Sequence, residues 1–244
     1  MQLLNSVTTD VSANAPVPKQ RPTLILQGWQ SVLSKLLIAK SCTAMLWGDF
    51  SLDAVGDLAY GLLGTAAYDR LAQYLNQDPA CAALIRDRYS PPAHDLEALL
   101  TLPSDSLGYI YAAQMKKTGF DPNLHAGMTV KSDADYVELR LSQTHDLWHI
   151  ITGFGTSVVD EIGLQAFHLS QFPYPLATML VATNLIFTTL RKPELLPQVL
   201  AAIAQGFQMG KAAHPLFAQK WEEGWAKPLT QWQVELNIQP MPHS

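Results

Sequence analysis

From Leu24 onward, apolar residues return every three or four positions, the repeat of a helix face, and strict alternation is nearly absent. Leu24 to Lys40 reads as an amphipathic helix, and Asp53 to Asn76 as a longer one with Asp49 or Ser51 available to cap it. Asp78-Pro79 opens a short helix, the Asp as cap and the Pro in a first turn that needs no N–H partner; Pro91-Pro92 ends it. The turn Leu102-Pro103-Ser104-Asp105-Ser106 starts a helix through Tyr109 and Met115, closed by Gly119 and the loop FDPNLHAG. Ser132 or Asp133 caps a helix reaching Thr152, and Gly153-Phe154-Gly155 breaks it. Further helices are expected from about Thr156 to Gln171, over Leu176 to Leu190, from Pro193 to about Ala213, and from Pro228 to Leu236. No Val/Ile-rich alternating run and no NG or DG turn appears, so the pattern predicts an all-α, single-domain helical bundle without internal repeats.

Composition refines this picture. At 244 residues with 48% apolar side chains the chain can bury a sizeable core, assigned here to residues 23–244. Residues 1–22, rich in Ser, Asn and Pro, read as a flexible N-terminal tail. A net charge of -5 and a pI near 5.7, with no run of Lys and Arg, exclude an electrostatic nucleic-acid footprint. Cys42 and Cys81 share no metal or redox spacing and read as buried thiols. The N-terminus has neither a secretory signal pattern nor an Arg-rich transit pattern, so the expected location is the bacterial cytoplasm, held peripherally at the inner membrane face. Leu176 to Leu190, interrupted by Thr and Asn, falls short of the ~20 apolar residues of a spanning helix.

Candidate chemistry concentrates in THDLWHIITGFGTSVVDEIGLQAFHLS, Thr144 to Ser170. His145 and His149 stand one turn apart on the same helix face, with Asp146 within the same ~100° arc, and two imidazoles at this spacing can bind a divalent metal. If the next helix folds back as an antiparallel hairpin around Phe154, the ~1.5 Å rise per residue brings Glu161 to a height between the two histidines. Paired helices ~8–10 Å apart let ligands from both converge. A plainer reading competes: Glu138, Ser142, His145, His149 and Thr152 form one polar stripe, and such a stripe is usually a solvated face. Spacing on the first helix leaves both open; the position of Glu161 weighs towards the metal.

His145-Asp146-x-x-His149, eleven residues, then Glu161 resembles the signature of the coenzyme Q biosynthesis protein 4 family. YVELRLSQTHDLWHIITGFG is similar to that family's approach to the motif, and Leu102-Pro103 followed by Ser106-Leu107-Gly108 and Tyr111 to its LP-x-x-SLG-x-x-Y pattern. Trp221, Glu222, Trp225 and the closing VELNI resemble its C-terminal region. The resemblance covers about residues 95 to 238, and more weakly back to about 25. Two positions depart from it: Asp160 stands where a Gly often precedes the motif Glu, and Gln233 where a basic residue is expected.

The resemblance implies a role in making an isoprenoid quinone, with zinc held by His145, His149, Glu161 and Asp146, and oxidative decarboxylation at C1 of the quinone head group. Magnesium or iron would also suit the donors. Zinc undergoes no redox change, so an oxidative step needs oxygen or another acceptor. Implied partners are a prenylated quinone precursor or a polyprenyl (phosphate) lipid, other quinone-biosynthesis proteins and a second copy of the chain. Leu176 to Leu190 and Leu195 to Phe207 are the helices expected to offer a lipid groove. The alternative is a non-catalytic lipid-binding scaffold; a phosphohydrolase of the H…HD…D type ranks last, because further His and Asp ligands are not in place. His94, His125 and His214 read as surface or cap residues and Arg140 as a surface charge, while His168 lies ~10 Å along its helix from Glu161, too far to share an ion.

Overall fold

The computed structural model describes residues 22–124 and 128–242, so the expected tail lies outside the described residues apart from Pro22, as does His125. Among the described residues there are eleven α-helices and no strand, and the all-α architecture is as the periodicity predicts. In chain order they are α1 Pro22–Leu46, α2 Leu52–Leu63, α3 Ala66–Leu75, α4 Pro79–Asp87, α5 Leu96–Leu99, α6 Leu107–Thr118, α7 Asp133–Thr152, α8 Val158–Gln171, α9 Pro175–Arg191, α10 Leu196–Ala212 and α11 Leu229–Glu235. Short 3-10 turns occupy Pro193–Leu195 and Trp221–Gly224.

Local chemistry sets most boundaries. Ser51, Asp78, Ser106 and Ser132 each accept a backbone N–H with the side chain at the start of their helices, removing an orphan donor. Ser132 and Asp135 close a reciprocal capping box on α7. The single helix expected over Asp53 to Asn76 is two: Thr65 caps α3 by accepting from Ala67, and that local bond interrupts the apolar pattern.

α7 runs through the middle. Thirteen of its twenty residues are buried, distributed around its circumference, so it is a central helix rather than an amphipathic surface one. α3, α4, α6 and α11 pack on it, and one continuous core joins Met45 on α1 to Ile238 beyond α11. The C-terminal segment lies across the end of α7: the Met241 N–H donates to Thr152 O at 2.8 Å and Gln233 Nε2 to Ile151 O at 3.1 Å. Gly153, at φ +75°, closes α7 where a Cβ would stand 2.8 Å from Met241 O, so both backbone conformation and close approach require glycine.

The broadest contact of α8 is with α10, not with the α7 that precedes it. Glycines on both helices permit it: a Cβ on Gly206 would overlap the carbonyl oxygen of Gly163, and one on Gly210 would meet Phe167 O at 2.7 Å. α8 meets α7 over a shorter strip, where the Trp148 ring stacks on His168 with centroids 4.3 Å apart and meets Phe167 edge-on at 5.8 Å.

Candidate metal centre

The polar stripe on α7 is an interior one. Glu138, His149 and Thr152 are all buried, while Ser142 and His145 are half-buried. Two ligand candidates project from this stripe, His149 in the last turn of α7 and His145 one turn earlier; the third, Glu161, leaves the first turn of α8. The break between them is short because Gly153 stops α7 and Ser157 at once caps α8 by accepting from the Asp160 N–H. A carboxylate in the first turn of a helix also sits where the aligned peptide dipoles favour negative charge.

His145 Nε2 and His149 Nε2 are 3.2 Å apart, His149 Nε2 is 3.0 Å from Glu161 Oε2, and His145 Nε2 is 3.4 Å from Glu161 Oε1. Three donor atoms around a single ion at ~2.1 Å would stand about 3.0–3.4 Å apart, whether the angles are octahedral or tetrahedral. The donor set therefore fits a divalent cation. The tautomer fits as well: His149 Nδ1 lies 3.0 Å from the Phe154 carbonyl oxygen, which can only accept, so Nδ1 carries the proton and Nε2 keeps its lone pair for a ligand. Phe154 is held in turn by its ring, which packs where a Cβ on Gly163 would come within 2.5 Å.

Asp146 stands outside this group of three, whose ligand atoms all lie within 4.8 Å of one another. It acts on His145 only through its charge. Burial works against a charged His145, but the Glu161 charge and hydrogen bond, with smaller help from Asp146 and Glu138, outweigh it and hold its pKa above the usual 6.5. Burial likewise opposes ionisation of Glu161, yet the two histidines hold its carboxyl far below the ordinary carboxylate range. The side chains of His145 and Glu161 are 32% and 33% exposed and that of His149 only 4%, so one side of the triad faces outward.

Around the triad lie side chains whose contacts the sequence pattern does not foretell. Gln165, buried one turn beyond Glu161, donates Nε2–H to Glu161 Oε1 at 2.6 Å. His168 is buried with its ring 6.1 Å from that of His145; burial lowers its pKa to about 3, and its Nδ1–H goes to Leu164 O. It stays outside the ligand group, as its distance along the helix implies. Glu138, deep in the stripe, accepts from Tyr68 at 2.6 Å, Tyr174 at 3.1 Å and Ser142 at 3.2 Å, and burial raises its pKa. The only sequence signal for this group was that Glu138 and Ser142 continue the histidine row.

Two expectations change. Arg140 is not a surface charge but fully buried, held by both carboxylate oxygens of Glu222 at 2.7 and 3.0 Å and by Gln219 O at 2.8 Å, with its guanidinium over the Tyr89 ring. His94 is no surface residue either: its side chain packs between Tyr111 and Trp225, with Nδ1 3.1 Å from the Tyr111 hydroxyl, while His214 is exposed as expected. A cavity of about 310 Å³ is lined by residues including Tyr89, His94, Asn123, Tyr136, Leu139 and Gln143, on a different face of α7 from the triad. Cys81 is buried and Cys42 half-buried, and burial raises both thiols.

Fold and site together define an all-helical protein in which two imidazoles and a carboxylate on successive helices converge in a group that could hold a metal ion. The sequence pattern of one family, coenzyme Q (ubiquinone) biosynthesis protein Coq4, matches residues 30–242, and the chain belongs to that family. It is 29% identical over 180 residues to the mitochondrial ubiquinone biosynthesis protein COQ4 of Uncinocarpus reesii, a match covering 71% of this chain and 63% of that one. The mitochondrial COQ4 homolog of Rattus norvegicus is 28% identical over 217 residues, covering 86% of this chain and 80% of the relative. A crystal structure of a candidate ubiquinone biosynthesis protein from Nostoc punctiforme superposes with a TM-score of 0.76 at 28% identity, covering 84% of this chain and 96% of that one. The chain thus spans just under two thirds of the fungal relative's length.

These relatives correct the expected cytoplasmic location, because those from Uncinocarpus reesii, rat and mouse are named mitochondrial. The expectation rested on the composition of residues 1–22, and a compartment is read by receptors from targeting signals rather than fixed by composition. Among the described residues no helix is long and apolar enough to cross a membrane.

Proposed function

We propose that this chain works in ubiquinone-type quinone biosynthesis as a cation-dependent protein that holds a prenylated aromatic acid against the His145–His149–Glu161 centre and removes its carboxyl group oxidatively at C1. The observation that carries the reading is the convergence of two Nε2 atoms and a carboxylate at 3.0–3.4 Å, one tautomer already fixed by Phe154. Zinc is the ion that the family resemblance implies, and magnesium or iron suits the same donors. A divalent ion bound there supplies positive charge that attracts and polarises a carboxylate or phenolic oxygen. Asp146 adds negative charge beside His145.

Replacing a ring carboxylate by hydroxyl takes up one water and releases carbon dioxide, a proton and two electrons, which dioxygen or another acceptor must take. Phe154 O engages His149 Nδ1, which leaves Nε2 facing Glu161 as the ligand atom. The prenyl tail has apolar surface nearby in sequence: Ile186 and Leu190 on α9 and Leu200 and Phe207 on α10 are exposed, a surface that also suits peripheral contact with a lipid layer. The same surface, with a cavity of about 310 Å³ placed away from the triad, favours a second reading. In it the chain is a non-catalytic lipid-binding scaffold docking other quinone-biosynthesis enzymes or a second copy of itself.

The deciding experiment incubates purified protein, loaded in turn with zinc, iron and magnesium, with a prenylated hydroxybenzoate under oxygen and follows carbon dioxide release and the hydroxylated product by mass spectrometry. Turnover abolished by His149→Ala supports catalysis. Lipid binding without turnover under any metal supports the scaffold.

A further inference from the structure

Gln165 is 3% exposed, on the face of α8 that carries Glu161 and His168 towards α7. Its Nε2–H group donates to Glu161 Oε1 at 2.6 Å, yet its own Oε1 is buried without any hydrogen-bond partner. Turning the amide over would not help, because the carbonyl oxygen would then face a carboxylate and be repelled. The carboxylate therefore dictates the orientation of the amide, and the orphaned oxygen is what that orientation costs. A residue present only to fill space between α7 and α8 would be apolar, with nothing left unpaired.

Glu161 needs such a partner. Nothing else on α8 donates to its carboxylate, whose other contacts are the two histidines. Once a cation takes the histidine lone pairs, the Gln165 amide is what remains to fix the rotation of the carboxylate. We propose that Gln165 is a positioning residue of the cation centre, holding Glu161 Oε1 so that the carboxylate presents itself to the ion in one orientation. This rests on the reading of the triad as a cation site. Partners of this kind behind a metal ligand typically change affinity by 10–100-fold when removed.

The test uses the full chain, stripped of metal and titrated with Zn²⁺ against a competing chromophoric chelator, together with the melting temperature of the metal-free form. Gln165→Met keeps the volume and removes both the donor and the orphaned acceptor. The expected result is Zn²⁺ binding weakened at least tenfold while the metal-free protein melts no lower than wild type, a split that a merely structural residue would not produce. Zn²⁺ affinity within twofold of wild type overturns the positioning role and leaves the cation centre standing. A wild-type chain that takes up no Zn²⁺ overturns both. Should Gln165→Met fail to fold, isosteric Gln165→Glu, which replaces the donor by an acceptor, is read by its Co²⁺ absorption bands. Bands displaced from the wild-type spectrum support the role, and a superimposable spectrum overturns it.

Discussion

Replacing Arg140 by methionine removes one half of an ion pair that has no access to water. The arginine side chain is 0% exposed and that of Glu222 3%, and the two share two hydrogen bonds, with a third from the guanidinium to Gln219 O. Without the guanidinium, the basic side chain left within 4.0 Å of Glu222 among the described residues is His94, with Nε2 4.0 Å from Oε1, and burial lowers the pKa of that histidine. A buried charge stripped of its partner costs ~3–5 kcal/mol, against a total stability of ~5–15 kcal/mol for an ordinary domain. In a chain of this size that lowers Tm by roughly 6–20 °C. Arg140→Met/Glu222→Leu should recover most of the loss, since neither charge is then left to desolvate. Urea unfolding of wild type, both single variants and the double variant measures the coupling directly. The reasoning is refuted if Arg140→Met costs less than ~1 kcal/mol, or if the double variant is less stable than either single one.

Three further outcomes are expected. Gly206→Ala should push α10 off α8, because the new methyl overlaps Gly163 O, and the cost should exceed the ~1–3 kcal/mol of ordinary overpacking; a Tm within 2–4 °C of wild type would contradict the close approach. Tyr68→Phe, which takes a donor from buried Glu138, should destabilise by ~1–3 kcal/mol, while Tyr60→Phe at an exposed site changes nothing in the same denaturation assay. His145, with its pKa raised above 6.5, pairs as a cation with Glu161 in the metal-free protein. That contribution to stability is complete below 6.5 and lost as pH rises through the raised value, whereas Zn²⁺ affinity should fall as pH drops through it, the proton competing for Nε2. Because buried His168, with its pKa lowered to about 3, contributes the opposite pH trend, the melting difference between wild type and His145→Gln between pH 5 and 9 isolates the first effect. That difference should shrink as pH rises, while chelator competition shows Zn²⁺ affinity falling as pH drops, and a flat Zn²⁺ affinity would rule out His145 as a ligand.

Helix existence was legible because caps and periodicity agree: Ser132 with Asp135, Ser106, Asp78 and Gly153 each act locally, and local bonds survive into the folded chain. The convergence of His145, His149 and Glu161 was legible for the same reason, since all three lie within 17 residues joined by one short break. Asp146, adjacent in sequence and on the expected arc, falls outside the group because a 100° step turns it away from Glu161. Long-range partners were not legible. Arg140 meets Glu222 across 82 positions and Glu138 meets Tyr68 across 70, and a polar residue on a central helix looks the same in sequence as one on a solvated face. Nor does the pattern foretell that α8 joins α10; that depends on glycines 43 positions apart meeting across the interface.

That pairing gives the centre a mechanical character. Glu161 rides on a helix fastened by glycine-to-backbone contact to α10, while His145 and His149 belong to the helix around which α3, α4, α6 and α11 are assembled. An ion bound by all three would act as a rivet between α7 and the first turn of α8, adding a joint where the strip of direct contact is short. Slower amide exchange along both helices, with α3 and α4 unchanged, would be its signature.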